Sequence, residues 1–142
     1  MKKPGFTLIE TVLALALAGF LVYAGSVSFK QIVPKFRLQT AVWEIGSALN
    51  QARFAAIWKG VPMRVRFGPP GCALETYDDG AKVWRPARIA RLEGVEVRAN
   101  NTPTFYPGGT VSDLATIYVS NLRGSYKITI AITGRIKTVK VG

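Results

Sequence analysis

The chain has 142 residues, is 49% hydrophobic, and carries a formal charge of +11 from 19 lysines and arginines against 8 acidic residues. That length allows one small domain beside an anchoring segment, and the single cysteine, Cys72, excludes an intramolecular disulfide framework. The lack of histidine removes the commonest general base and metal ligand, while the positive excess predicts affinity for polyanions: nucleic acid, anionic headgroups or an acidic protein surface.

The chain opens Met1-Lys2-Lys3-Pro4-Gly5 and then turns apolar. From Phe6 to Phe29 the only charged residue is Glu10. At about 1.5 Å per residue this run reaches roughly 36 Å as a helix, more than the ~30 Å core of a bilayer. A secretory signal peptide carries its small-residue cleavage site after the apolar core, whereas Gly5 precedes it. A plain membrane anchor accounts for the length and the lysine flank, but not for a carboxylate placed where lipid makes it costly.

A third reading uses every residue. Lys2-Lys3-Pro4-Gly5 followed by Phe6-Thr7-Leu8-Ile9-Glu10 resembles the class III leader of type IV prepilins and pseudopilins. The resemblance implies a membrane-embedded prepilin peptidase that cuts between Gly5 and Phe6 and N-methylates Phe6. It also implies that Glu10 pairs with the terminal amine of a neighbouring subunit, since a carboxylate buried in a filament core needs a partner. The alternative for Glu10 is a position near the headgroups. The expected organisation is a cleaved leader over 1–5, a transmembrane and filament-core helix over 6–34, and a soluble domain over 35–142. Loss of Lys2 and Lys3 lowers the formal charge by two, from +11 to +9.

Pro34 predicts a kink or break near the membrane exit, because it removes a backbone donor. Beyond it the helix continues over 35–59. Ala41, Ile45, Ala48, Leu49, Ala52, Ala55 and Ala56 form one apolar stripe of small residues, suited to close packing on a sheet. Gly60 and Pro62 end that helix. The rest, 61–142, is β-rich. Met63, Val65 and Phe67 alternate with Arg64 and Arg66 as a half-buried strand. Gly68-Pro-Pro-Gly71 turns into a strand over 73–77, and Asp79-Gly80 turns again into Lys82-Val83-Trp84. Pro86 is expected to break that strand, with a weaker one over 89–98. Polar loop follows over 100–104, then a compact Phe105-Tyr-Pro-Gly-Gly-Thr110 element and a short strand at 117–119. Asn121 to Gly124 turns the chain into the clearest alternation, from Tyr126 to Ile132. Thr133-Gly134 then turns into a last strand over 135–141.

The fold class expected is α+β: a long N-terminal helix whose second half packs on a small antiparallel sheet. The layout, with the Val61-to-Phe67 strand, the Phe105-Tyr-Pro-Gly-Gly109 element and the closing Ile132-Thr-Gly-Arg135-Ile, is similar to the GspH/FimT family of minor pilins and pseudopilins. That resemblance implies a non-enzymatic subunit without cofactor. It would be anchored in a bacterial inner membrane with its domain on the periplasmic side. There it would join other pilin subunits in a type II secretion pseudopilus or type IV pilus. The residues agree: no three acidic side chains have metal-ligand spacing, and no Gly-rich phosphate loop occurs.

The basic residues carry a second expectation. No acidic residue follows Asp113, while Arg123, Lys127, Arg135, Lys137 and Lys140 do. As a cluster they would contact several phosphates in a salt-sensitive way. Arg135 and Lys137 are expected on one face of a strand and Lys140 on the other. FimT-like minor pilins that bind DNA in natural transformation carry a C-terminal Gly-Arg-x-Arg motif. Gly134-Arg135-Ile136-Lys137 resembles it, with lysine replacing the second arginine and losing the planar fork. The competing reading is a solvated basic face or one that meets an acidic subunit. Arg85, Arg88 and Arg91, spaced by three, are expected in a loop or short helix.

Overall fold

A long run rich in leucine and alanine with few breakers favours helix, and the chain forms α1 over Leu8–Lys59. The computed structural model describes residues 7–141, with the side chains of 26–31 outside that description. The chain divides into two compact units, Met1–Val33 and Pro34–Gly142. In the first, Leu8–Gly25 is long and apolar enough to cross a membrane, with a mean hydropathy of 2.0. Of the kink or break expected at Pro34, the break does not occur: α1 continues through it. A proline costs one helical donor, and the long helical stretches on either side carry the helix across that gap.

In the second unit the small-residue stripe is the buried face of α1. Ala41, Ile45, Ala48, Leu49, Ala52 and Ala56 are all buried, joined by Leu38. The helix ends as its composition dictates: Gly60 adopts a φ of 67° and its amide donates to the Ala56 carbonyl at 3.0 Å.

Among the described residues nine strands follow, in two antiparallel sheets. In chain order they are β1 (Met63–Gly68), β2 (Gly71–Asp78), β3 (Val83–Arg91), β4 (Glu96–Ala99), β5 (Thr104–Phe105), β6 (Val111–Ser112), β7 (Thr116–Asn121), β8 (Gly124–Ile130) and β9 (Ile136–Lys140). The first sheet has the order β3-β2-β1-β5-β6 and the second β4-β7-β8-β9. Met63, Val65, Leu74, Phe105 and Val111 from the first meet Ile117, Val119, Ile128 and Ile130 from the second in one core with α1. Fully burying one such aliphatic side chain is worth about 1.5–3 kcal/mol. Asn121 ties the second sheet to the helix, its Nδ2 donating to the Pro34 carbonyl at 2.7 Å.

Two expectations for the middle of the chain need correction. Pro86 does not break its strand, because β3 is an edge strand and continues to Arg91. The register shifts between Leu74 and Glu75, so Glu75 faces Pro86 while Leu74 faces Arg88. Nor do residues 89–98 form one strand. Residues 89–91 finish β3, the chain turns, and β4 enters the other sheet.

Candidate functional site

Gly5 and Phe6, the expected cleavage pair, lie outside the described residues. Glu10 lies in the first turn of α1. Its amide donates to the Thr7 carbonyl at 3.1 Å and to Thr7 Oγ1 at 3.4 Å. Thr7-x-x-Glu10 is therefore the spacing of a helix-capping box, a local pattern that a reading of the stretch as a leader passes over. A carboxylate here also faces the positive end of the helix dipole.

The outward face of the first sheet is built around Glu75, which is only 5% exposed. Arg64 Nε donates to Glu75 Oε2 at 2.7 Å and Arg66 Nε to Oε1 at 2.9 Å. The register explains this: Arg64 sits directly opposite Glu75, and Arg66 lies on the diagonal opposite Ala73. Burial by itself raises the Glu75 carboxyl, but the hydrogen bonds from Arg66 and Arg64 outweigh it and hold the group below the usual range. The Arg64 guanidinium also stacks over Trp84 at 4.3 Å, and Tyr77 meets Trp84 edge-on at 5.2 Å.

Arg85, Arg88 and Arg91 lie on strand β3, not on a loop or helix. Two of them have partners: Arg85 pairs with Asp78 at 2.7 Å, and Arg88 reaches Gln51 at 3.0 Å and Glu44 at 3.6 Å.

The five basic residues at the C-terminal end are distributed along the second sheet. Arg123 lies in the tight turn between β7 and β8, where its amide donates to Asn121 Oδ1 at 2.8 Å. Arg135 lies before β9, in the turn at the opposite end of β8. At about 3.3 Å per residue those turns are roughly 25 Å apart. Lys127 sits opposite Val139, and Lys137 opposite Thr129. These residues alternate with Ile128 and Ile130, which are buried, so Lys127 and Lys137 share the outward face. Lys140 falls on the face of Ile128, beside Tyr126, so it lies on the opposite face from Lys137, as the strand parity requires. Arg135, expected inside the last strand and on the Lys137 face, stands outside it. Tyr118 is directly opposite Lys127, whose Nζ lies 5.9 Å from the ring centroid. None of the five basic residues forms an ion pair among the described residues. Lys127 and Lys137 are spread along one face between the turns that hold Arg123 and Arg135, with Lys140 on the other face, so the five do not form a compact cluster.

No protein-family model matches the chain, and no curated protein matches it in sequence. Solved structures do match. The type IV minor pilin FimU of Pseudomonas aeruginosa strain PAO1 aligns with a TM-score of 0.61 at 18% identity, covering 74% of this chain and 90% of its own. A second crystal form of FimU gives 0.58 at 18% identity over 71% and 91%. The minor pseudopilin EpsH from the Type 2 Secretion System of Vibrio cholerae aligns with a TM-score of 0.63 at 13% identity, over 73% and 97%. The fold is that of a minor pilin.

Within this minor-pilin fold two suspect residues have structural explanations. Gly134, in the Gly-Arg stretch, has a φ of 75°, and Arg53 from the helix lies over it, leaving 2.9 Å for any added Cβ. A glycine is required there whatever Arg135 does. Cys72 is buried beneath α1, and burial, reinforced by the charge of Glu44 against the opposing Arg88, pushes its thiol up to about 11. At neutral pH it is a thiol, and a poor nucleophile.

Proposed function

We propose that the chain is a minor pilin or pseudopilin subunit that is cut between Gly5 and Phe6, methylated on Phe6, and assembled through its helix into a type II secretion pseudopilus or type IV pilus. The supporting observation is the minor-pilin fold of Pro34–Gly142 carried behind an apolar helix with Glu10 in its first turn. The helix of the second unit also keeps apolar side chains in solvent, with Phe54 69% and Trp58 90% exposed beside Ile57. Patches of this kind mark subunit contacts. On this reading Glu10 pairs with the Phe6 amine of the next subunit, the anchor lies in the inner membrane, and the domain faces the periplasm. The protein performs no reaction of its own.

Co-expression with a prepilin peptidase tests the first step. The intact mass should fall by residues 1–5 and rise by one methyl group, and Gly5→Arg should abolish both changes. A Glu10→Ala chain should then be processed but excluded from filaments. Processing that never occurs sinks the proposal, and normal incorporation of Glu10→Ala removes the pairing role.

A second reading, DNA binding during uptake, is favoured by Lys127 and Lys137 on one outward face, with Tyr118 beside Lys127. Arg123 and Arg135 lie in the turns at either end of β8, while Lys140 lies on the opposite face. Unpaired cations in line suit a phosphate backbone, and the exposed ring of Tyr118 offers a stacking surface. Full-length protein in detergent should bind duplex DNA at near-physiological salt, and an Arg135→Ala/Lys137→Ala variant should not. Equal binding by both would assign the charge to general solubility.

A further inference from the structure

Edge strand β9 turns half of its backbone groups away from its own sheet. In the β8–β9 ladder the Ala131 amide donates to the Arg135 carbonyl at 2.9 Å, and the Val141 amide to the Ser125 carbonyl at 2.8 Å. The register between these points places Lys137 opposite Thr129 and Val139 opposite Lys127. Bonded positions alternate in an antiparallel pair, so Ile136, Thr138 and Lys140 direct their N–H and C=O groups outward. Among the described residues no strand covers that edge. Beside it runs a groove of about 530 Å³ between β9 and the helix, lined by Val42, Trp43, Gly46, Ser47, Tyr126 and Thr138. Trp43 is 69% exposed there, and a Cβ added at Gly46 would meet nothing within 4 Å.

We propose that this edge receives an extended segment of a partner protein by strand addition, and that the segment alternates acidic and apolar residues. Its backbone would pair with Ile136, Thr138 and Lys140. The side chain opposite Thr138 would enter the groove against Trp43, and carboxylates on the other face would meet Lys137. Lysines on an edge strand also guard against unwanted pairing, which is the competing role for Lys137 and Lys140. Guarding does not account for an open groove with an exposed tryptophan alongside. A second copy of this chain is a poor occupant: pairing β9 with β9 brings Lys137 and Lys140 of two strongly basic chains together. Charge complementarity selects an acidic strand.

The inference takes the partner's origin from the assembly reading, but its test does not depend on it. Full-length protein in detergent micelles is titrated with a short synthetic peptide alternating glutamate and valine around a central leucine, and with its lysine-for-glutamate counterpart. The acidic peptide should slow amide exchange at Ile136, Thr138 and Lys140. Thr138→Pro removes one outward donor without touching the β8–β9 bonds, and Gly46→Leu fills the groove. Each should weaken binding by about tenfold or more, and the basic peptide should bind more weakly by a similar factor. Binding that falls with salt but ignores both substitutions is plain polyanion attraction, and overturns the proposal. So does protection that appears elsewhere. If circular dichroism shows Thr138→Pro misfolded, Gly46→Leu decides alone, because its side chain enters open space. Failure here with normal filament incorporation removes the edge and keeps the assembly role; intact peptide binding in a chain that is never processed does the reverse.

Discussion

The two sheets carry similar numbers of arginines and lysines and use them differently. In the first, Arg64 and Arg66 are held by Glu75, Arg85 by Asp78, and Arg88 by Glu44. In the second, only Arg98 has an acidic partner among the described residues, Glu96 at 2.6 Å. Arg123, Lys127, Arg135, Lys137 and Lys140 have none. Net charge therefore says little about where a protein attracts a polyanion: in the first sheet Arg64, Arg66, Arg85 and Arg88 are held in ion pairs, the last with Glu44 of the helix, and the second offers most of its cations to solvent.

The sharpest way to break this contrast is to remove a charge from each sheet and compare stability. Glu75→Ala strands two arginines, and although solvent reaches them in part, the loss should be about 2 kcal/mol in urea unfolding. Lys127→Ala/Lys137→Ala should change stability by less than about 0.5 kcal/mol. A reversed order would overturn the comparison.

Next in size is the pH response. The Glu75 carboxyl lies below its ordinary value in the folded state, so the stability it contributes is fully present above the ordinary value. That stability is lost as pH falls through the folded value. Thermal melts should thus show an acid-side drop in Tm that flattens in Glu75→Gln. Gly134→Ala comes third: forcing a Cβ onto a φ of 75° should cost about 1 kcal/mol or more while leaving the salt dependence of DNA binding unchanged. The smallest effect on folding, from Lys127→Ala/Lys137→Ala, should be the largest on binding. If both lysines touch phosphates, the slope of log affinity against log salt should fall by roughly two.

Much of this was legible in the sequence because two periodicities are simple. The stripe from Ala41 to Ala56 reads as one helical face, and Met63-Val65-Phe67 as one strand face. What escaped depended on pairing. Pro86 looks like a breaker until it is known to lie on an edge strand facing a bulge. Arg85 and Arg88 look helical in spacing, yet the bulge turns a separation of three into one face of a strand: they sit opposite Thr76 and Leu74. The second site changed shape for the same reason. Proximity in sequence suggests a cluster of five cations, but the register of β8 with β9 leaves Lys127 and Lys137 on one face, puts Lys140 on the other and separates Arg123 from Arg135 by the length of β8. The capping spacing of Thr7 and Glu10 was legible but overshadowed by the leader.

Cys72 turns the helix-to-sheet packing into something that can be timed. It is the chain's only cysteine, and its thiol lies under α1 at the junction with β1 and β2. A thiol reagent at neutral pH can reach it only when that contact opens, so the labelling rate in full-length protein measures the opening equilibrium. Burial of the helix face inside an assembled filament should slow that rate further, giving a kinetic readout of incorporation from a single native atom.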